Sequence, residues 1–215
     1  MITRYILKVL ELYGFNKSVE VGRSVDAQGE PIPWYTYPAI EYLSALDFKD
    51  CSVFEFGSGS SSIWWAKRAK EVYSVESSKE YYDRLIENKQ DNNTVFLIDN
   101  NDDYSECIVK QNKIFDIIVI DGKRRLECIE KALPFLSPKG MLIFDNSDRA
   151  LVFNHYKRAL QRLNQEDFIQ VDFKGFTPIN MYTAVTSIFF KRDCDLTNKN
   201  HMQASKAIGS YHIKF

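Results

Sequence analysis

The stretch Val53-Phe54-Glu55-Phe56-Gly57-Ser58-Gly59-Ser60-Ser61-Ser62-Ile63 decides the fold of this chain. It runs from an apolar segment with aromatic residues, through a turn of small residues, into the start of a helical pattern. Glycine permits a tight turn and lets a ligand come close to the backbone. The first turn of the helix that follows offers N–H groups without intrahelical partners. The stretch therefore predicts a strand, a ligand-binding turn and a helix.

Short apolar runs and helical patterns alternate along the chain from this stretch onward. Such alternation predicts βαβ units with right-handed crossovers and a parallel sheet. Ser77 and Glu80 are spaced as a capping box for the second of the helices. The predicted strands are residues 52–56, 72–75, 94–98, 115–120 and 141–144, and the predicted helices between them are residues 61–70, 79–89, 105–111 and 124–136.

The pattern changes after a further predicted helix at residues 148–164. Two strand-like runs, 168–173 and 184–190, leave no room for a helix between them, so an antiparallel hairpin is expected. The fold class is therefore α/β: a doubly wound, mostly parallel seven-stranded sheet, Rossmann-like, with an antiparallel C-terminal hairpin.

Two further segments flank this sheet domain, which is predicted to span residues 50–192. Residues 1–49 are expected to form an N-terminal helix at 2–14, a loop at 16–33 and a short helix after Pro38. Residues 193–215 are polar and irregular, and are expected to dock on the body of the protein or on a second subunit. A homodimer is thus one alternative for the assembly.

Composition excludes several classes of function. The 215 residues carry 28 Lys and Arg against 29 Asp and Glu, a net charge of -1, so no nucleic-acid partner is expected. No apolar run approaches the ~20 residues of a membrane span, and no membrane association is expected. The four cysteines form no CxxC pair. A reduced, cytoplasmic protein is the simplest interpretation.

Glu76 ends the second predicted strand, 21 residues after Glu55. In dinucleotide-binding folds an acid at this place accepts hydrogen bonds from a ribose diol. Together with the glycine turn it indicates a nucleoside ligand. The alternative is that Gly57 and Gly59 only make a tight strand-to-helix turn.

As a set, these segments resemble the class I S-adenosylmethionine-dependent methyltransferases. The acid-x-Gly-x-Gly motif corresponds to residues 55–59, the fourth-strand motif to 115–122, and the fifth-strand motif to 137–145. Ser61 stands where the family often has a third glycine. The resemblance implies S-adenosylmethionine as the cofactor, bound by Glu55, Gly57, Ser58, Gly59, Ser61, the ribose acid Glu76, Asp99 near the adenine, and Asp121.

Residues at the ends of the fourth and fifth strands also resemble the magnesium site of catechol-type O-methyltransferases. Asp121, Asp145 and Asn146 would supply the oxygen ligands that Mg²⁺ prefers. Asp121 and Lys123 are the predicted catalytic residues, although the family's base lies three residues after the aspartate, where Arg124 stands. Arginine is a poor base because it stays protonated. The alternative is that Asp121 binds the cofactor or a water, and that Asp145-Asn146 only ends a strand.

Acceptor-binding residues are predicted on both sides of this edge. Trp34, Tyr35 and Tyr37 are expected to form an aromatic flap over the site, or else a strap packed on the sheet. Their segment also resembles one in bacterial methyltransferases of sugar pathways. Arg124, Asp145 and Asn146 are the other expected acceptor contacts. Residues 123–125, together with Arg149, could hold a phosphate or carboxylate, or form a solvated helix start.

The sequence thus predicts an S-adenosylmethionine-dependent methyltransferase, O-directed, on a small-molecule or sugar-containing (saccharide) acceptor. Two alternatives use the same sheet: a non-catalytic nucleoside-binding protein, and an NAD(P)-dependent oxidoreductase. The antiparallel hairpin and the absence of a third glycine argue against the oxidoreductase.

Overall fold

The structure is a computed structural model that describes residues 2–199 and 207–208, with the backbone alone for residues 2–6. Seven strands and eight α-helices follow one another along these residues. The helices are α1 (Ile2–Leu12), α2 (Phe15–Val21), α3 (Tyr37–Ala45), α4 (Ser60–Ala66), α5 (Lys79–Ile86), α6 (Asn101–Gln111), α7 (Arg125–Ala132) and α8 (Asn154–Leu163). The strands are β1 (Ser52–Phe56), β2 (Glu71–Glu76), β3 (Asn93–Leu97), β4 (Phe115–Ile120), β5 (Leu136–Asp145), β6 (Phe168–Phe176) and β7 (Thr183–Lys191).

The strands form one sheet in the order β3-β2-β1-β4-β5-β7-β6. Strands β1 to β5 are parallel, and β7 pairs antiparallel with both β5 and β6. The predicted fold class and the C-terminal hairpin are confirmed. Because the order reverses beside β1, the carboxyl ends of β1 and β4 border the crevice in which doubly wound sheets bind ligands. We call this end of the sheet the carboxyl edge.

Apolar side chains cover both faces of the central strands. Phe54, Ile118 and Leu142 point into one core layer, under α6, α7 and α8. Val53, Val119 and Ile143 alternate with them and point into the other layer, which holds Trp64 and Trp65 of α4 and the aromatic residues before α3. Burial on both faces is what a continuous apolar strand indicates, and it fixes the central strands rigidly beneath the carboxyl edge.

Three local predictions were wrong. Residues 15–21 form α2, where a loop was expected. The helix predicted at 148–164 is interrupted: a 3₁₀ turn at Ser147–Leu151 precedes α8. The Ser77–Glu80 capping box is not formed, because the N-cap of α5 is Ser78 without a side-chain cap. The backbone N–H groups of Ser77 and Ser78 donate to Glu76 instead.

The described part of the C-terminal segment runs beside the end of α3. The Asp47 N–H donates to the carbonyl of Thr197 and the Lys199 N–H to that of Ala45, each at 2.9 Å. The expected docking on the body thus holds for residues 193–199. The rest of the predicted tail, residues 200–206 and 209–215, lies outside the described residues. Among the described helices, none combines the length and apolar composition that crossing a membrane requires.

Candidate functional site

Two adjoining cavities open at the carboxyl edge. The first, of about 480 Å³, lies at the ends of β2, β4 and β5, and the second, of about 570 Å³, lies between the glycine turn, α2 and α5. They share five lining residues: Trp34, Ser58, Ser61, Tyr81 and Asp121. The first cavity is also lined by Gly57, Glu76, Tyr104, Lys123, Arg125, Asp145, Asn146, Arg149, Asn180 and Tyr182.

The two glycines of the turn meet different physical demands. Gly57 has φ +94°, and a Cβ there would lie 2.9 Å from the backbone nitrogen of Gly122. This residue must therefore be glycine for β1 and β4 to close together at their ends. A Cβ on Gly59 would meet no atom within 4 Å. Gly59 borders the second cavity, so its missing side chain leaves space for a ligand beside the backbone.

Glu55 supports this turn from below and lines neither cavity. It is fully buried, and its Oε2 accepts a short hydrogen bond from the hydroxyl of Ser62. The Ser62 oxygen in turn accepts from the N–H of Gly59 at 3.2 Å. Burial raises the pKa of Glu55 to about 8, against the opposing hydrogen bonds from serine. Its other oxygen, Oε1, is buried without a partner among the described residues.

Glu76 is held at the end of β2 by backbone N–H groups. Ser77 and Ser78 each donate to its Oε1 at 2.7 Å, and Ser58 of the glycine turn donates to its Oε2 at 2.9 Å. The carboxylate lines the first cavity. A glutamate fixed in this way can still accept a hydrogen bond at Oε2, which is the chemistry predicted for a ribose acid.

Asp121 follows β4 and lines both cavities. The guanidinium of Arg125 donates to its Oδ1 at 3.1 Å. Burial raises the pKa of Asp121, and the positive charge of Arg125 opposes that rise. The pair therefore keeps a carboxylate fixed at the centre of the cleft.

The predicted magnesium ligands each have a partner within the protein. Arg125 donates to Asn146 Oδ1 at 3.2 Å as well as to Asp121, so a cation of the protein already occupies these oxygens. The Asp145 carboxyl is bound elsewhere, by the hydroxyl of Thr186 at 2.6 Å, and burial raises its pKa to about 8. Within residues 2–199 and 207–208, no group of three or more His, Cys, Asp or Glu is placed to hold a metal.

Lys123 lines the first cavity and is held there by a backbone carbonyl. Its ammonium donates to the carbonyl of Asp99 at 2.7 Å and lies 5.2 Å from the centre of the Tyr104 ring. The Asp99 side chain is exposed and lies outside both cavities. Asp99 thus contributes its backbone carbonyl, and Tyr104 is the unpredicted ring at this end of the cleft.

Of the three aromatic residues predicted to form a flap, Trp34 lines the cavities and the other two do not. Trp34 is 38% exposed and lines both cavities. Tyr35 and Tyr37 are buried in the core, and the Tyr35 hydroxyl accepts a hydrogen bond from the indole of Trp65 at 3.4 Å. The segment is therefore mainly a strap, because large aromatic rings are stabilised by burial against the sheet.

Among the basic residues, Arg125 faces the site and Arg124 does not. Arg124, with φ +51°, begins the turn into α7 and pairs with Asp102 and Glu127 at 3.6 and 3.2 Å. The helical spacing of the residues that follow could have predicted that Arg125 points inward. Positions 125, 128, 129 and 132 recur at helical spacing, and all four residues are buried on one face of α7.

The structure is similar to solved methyltransferase structures at low sequence identity. The O-methyltransferase TomG from Streptomyces achromogenes, solved with SAM, matches with a TM-score of 0.58 and 14% identity, over 85% of this chain and 88% of that one. An O-methyltransferase from Bacillus cereus, solved with SAH, matches with a TM-score of 0.59 and 17% identity, over 87% and 91%. An rRNA methylase from Streptococcus thermophilus matches with 0.50 and 18%, over 71% and 96%.

No family model matches the chain, and no curated protein does. The solved structures therefore bear on the fold. It is the Rossmann-like fold of the class I S-adenosylmethionine-dependent methyltransferases, as the three motifs predicted.

Proposed function

We propose that this chain is an S-adenosylmethionine-dependent methyltransferase, O-directed, that acts on a small-molecule or sugar-containing acceptor. One observation carries the proposal. The Glu76 carboxylate is tied by the Ser58 N–H to the glycine turn and lines the same cavity as Gly57 and Asp121. A nucleoside bound there has a hydrogen-bond acceptor for its ribose and a turn without side chains beside it.

The residues of the turn fit the cofactor. The space beside Gly59 is open, and the unpartnered Oε1 of Glu55 lies just beneath this turn. Gly57, Ser58, Gly59 and Ser61 would border the methionine part, while Glu76 would accept from the ribose. S-adenosylmethionine supplies a methyl group bonded to a positively charged sulfur. The chain has to align an acceptor oxygen with that methyl group and exclude water.

Asp121 is the side chain best placed to orient the acceptor. Arg125 holds its Oδ1 in place at 3.1 Å, and the carboxyl group can accept a hydrogen bond from an acceptor hydroxyl. Lys123 instead borders the cofactor side of the cleft through its bond to Asp99. Since Arg125 already donates to Oδ1 of Asp121 and of Asn146, we assign no step to Mg²⁺.

Calorimetric titration with S-adenosylhomocysteine tests the cofactor assignment. We expect binding that is the same in Mg²⁺ and in EDTA, and that Glu76→Gln weakens by about tenfold or more, the effect of losing a charge-assisted hydrogen bond. Glu80→Gln is the matched control, because this exposed acid of α5 pairs with Arg84 and lines neither cavity. Failure of the wild type to bind would refute the proposal, and binding only in Mg²⁺ would refute its metal independence.

Methyl transfer to a panel of phenols and saccharides, followed by mass spectrometry, tests the direction to oxygen. Products methylated on nitrogen or carbon alone would contradict it.

A further inference from the structure

Four basic residues lie near the acceptor side of the first cavity, and the protein engages three of them. The Lys123 ammonium is bound by the Asp99 carbonyl. Arg124 pairs with exposed acids outside the cavity. Arg125 is buried against Asp121 and Asn146. These three positive charges are therefore committed to holding the protein together.

Arg149 is in a different situation. It lies in the 3₁₀ turn after β5, is exposed, and lines the first cavity. Its guanidinium donates to the hydroxyl of Tyr156 at 3.2 Å and interacts with that of Tyr182. Over the described residues it has no carboxylate within ion-pair distance. A guanidinium has five N–H donors, so these two hydroxyls leave further donors available to a ligand in the cavity that Arg149 lines.

The acids nearby leave this charge uncompensated. Asp121 is paired with Arg125 at 3.1 Å. The Asp145 carboxyl is 1% exposed and accepts from Thr186. Asp148, one residue before Arg149, accepts from the backbone N–H of Val185 at 3.0 Å. Arg149 therefore brings to the first cavity a positive charge that no carboxylate of the described residues holds in an ion pair, although it acts on the Asp121 carboxyl from a distance.

Exposed apolar side chains lie on the two segments that contribute Arg149 and Tyr182 to the first cavity. We call Leu151, Val152, Met181 and Tyr182 the apolar rim; they are 90%, 77%, 84% and 58% exposed. Leu151 and Val152 lie at the end of the 3₁₀ turn, and Met181 and Tyr182 lie in the β6–β7 connection. The hydroxyl of Ser147 in the turn donates to the Val185 carbonyl of β7, which follows that connection. Single exposed apolar residues are ordinary, but a cluster beside a cavity marks a binding surface.

We propose that the acceptor is a small organic oxyanion, whose carboxylate or phosphate group binds Arg149 while an apolar body lies along the apolar rim. Its identity as the methyl acceptor rests on the proposed function, whereas its binding does not. Arginine suits both kinds of anion, since its planar fork donates two parallel hydrogen bonds to either.

Calorimetry with simple anions tests this proposal. The probes are benzoate and phenyl phosphate, with acetate and inorganic phosphate as counterparts that lack the apolar body. Each is titrated into the wild type, Arg149→Gln and Arg158→Gln, with and without S-adenosylhomocysteine. Arg158 is the matched control, an exposed arginine of α8 outside both cavities.

We expect benzoate or phenyl phosphate to bind the wild type and Arg158→Gln alike, and Arg149→Gln about tenfold or more weakly. The tighter of the two probes identifies the anionic group, and weaker binding of acetate or inorganic phosphate supports the contribution of the rim. Equal binding to Arg149→Gln and wild type, or no binding of any probe, would overturn the proposal.

The two proposals fail separately in this design. Binding of S-adenosylhomocysteine without an Arg149-dependent anion leaves the methyltransferase proposal standing and removes this one. Anion binding that depends on Arg149, in a protein that does not bind S-adenosylhomocysteine, would support the anion site and refute the methyltransferase proposal. The thermal unfolding temperature of Arg149→Gln is compared with that of the wild type, so that a loss of binding can be distinguished from a loss of folding.

Discussion

Arg125 determines how the ends of β4 and β5 meet. Besides Asp121 and Asn146, its guanidinium donates to the carbonyls of Ile120 and Gly122 at 3.3 and 3.1 Å. It also donates to the carbonyl of Asp145, the last residue of β5. One buried side chain thus satisfies backbone groups at the ends of β4 and β5 and fixes the Asp121 carboxyl beside them. A metal ion held by Asp121 and Asn146 would compete with Arg125 for Oδ1 of each side chain.

Glu55 makes stability depend on pH. Its pKa is raised from 4.5 to about 8 in the folded protein, so the unfolded chain releases this proton first as the pH rises. Ionisation of the unfolded state therefore lowers the free energy of unfolding between these two values. We expect Glu55→Gln to remove this contribution, on the order of a few kcal/mol, while keeping an acceptor for Ser62.

Urea unfolding at about pH 5 and about pH 9 measures this effect. The wild type should lose stability relative to Glu55→Gln as the pH rises. Glu20→Gln, at an exposed acid of α2, should follow the wild type. A stability difference between Glu55→Gln and the wild type that does not change with pH would contradict the raised pKa.

The identities of the site residues were largely predictable, and their orientations were not. Glu76 and Asp121 end strands whose positions follow from the apolar runs, so both were expected at the carboxyl edge. Which of residues 123–125 turns inward depends on the left-handed backbone of Arg124. That conformation is set by packing against β4 and β5, which no local pattern encodes.

At the scale of the elements, the two glycines of the turn have different roles, one in stability and the other in ligand binding. Gly57→Ala places a Cβ 2.9 Å from the Gly122 backbone at φ +94°, and we expect it to lower the free energy of unfolding by about 1–3 kcal/mol. Gly59→Ala adds a methyl group into open space beside the second cavity. It should leave stability nearly unchanged and weaken S-adenosylhomocysteine binding.

Chemical denaturation and calorimetry of both variants check this pair, each variant serving as the other's control. Full binding by Gly59→Ala would show that the ligand does not approach this part of the turn. An unchanged stability of Gly57→Ala would show that the contact of β1 with β4 can relax.

Strands were the most predictable elements, because runs such as 117–120 and 141–144 are apolar throughout and are buried on both faces. Helix ends were less so. Residues 151–153 continue a helical pattern in sequence, yet the helix is interrupted there and Leu151 is 90% exposed. The Asp148 side chain accepts a hydrogen bond from the Val185 N–H of β7 instead of capping the helix. The two residues are 37 positions apart, so the hydrophobic pattern around Asp148 cannot predict this contact.

At the scale of the whole molecule, the strap before α3 joins the N-terminal segment to the sheet. The N–H of Thr36 donates to the hydroxyl of Thr186, and its own hydroxyl donates to the carbonyl of Phe173, both at 3.0 Å. Thr186 also holds the Asp145 carboxyl. Residues at opposite ends of the chain thereby position one side chain of the cleft. The division at residue 49 stays a prediction.

Neighbouring aromatic residues of this strap should separate the two roles considered for it. Tyr35 is fully buried beside Trp65, so Tyr35→Ala should lower the free energy of unfolding by about 3–5 kcal/mol, as for other large core aromatics. Trp34 lies at the wall shared by the two cavities, and Trp34→Ala should change S-adenosylhomocysteine or anion binding with little effect on stability. Urea unfolding and calorimetry of both variants measure these effects.

Because the strap packs on the same core as β1 and β4, Tyr35→Ala should still unfold in a single transition, at a lower urea concentration than the wild type. A separate early transition would mean that the N-terminal segment unfolds independently, and a large stability loss in Trp34→Ala would make that ring part of the core.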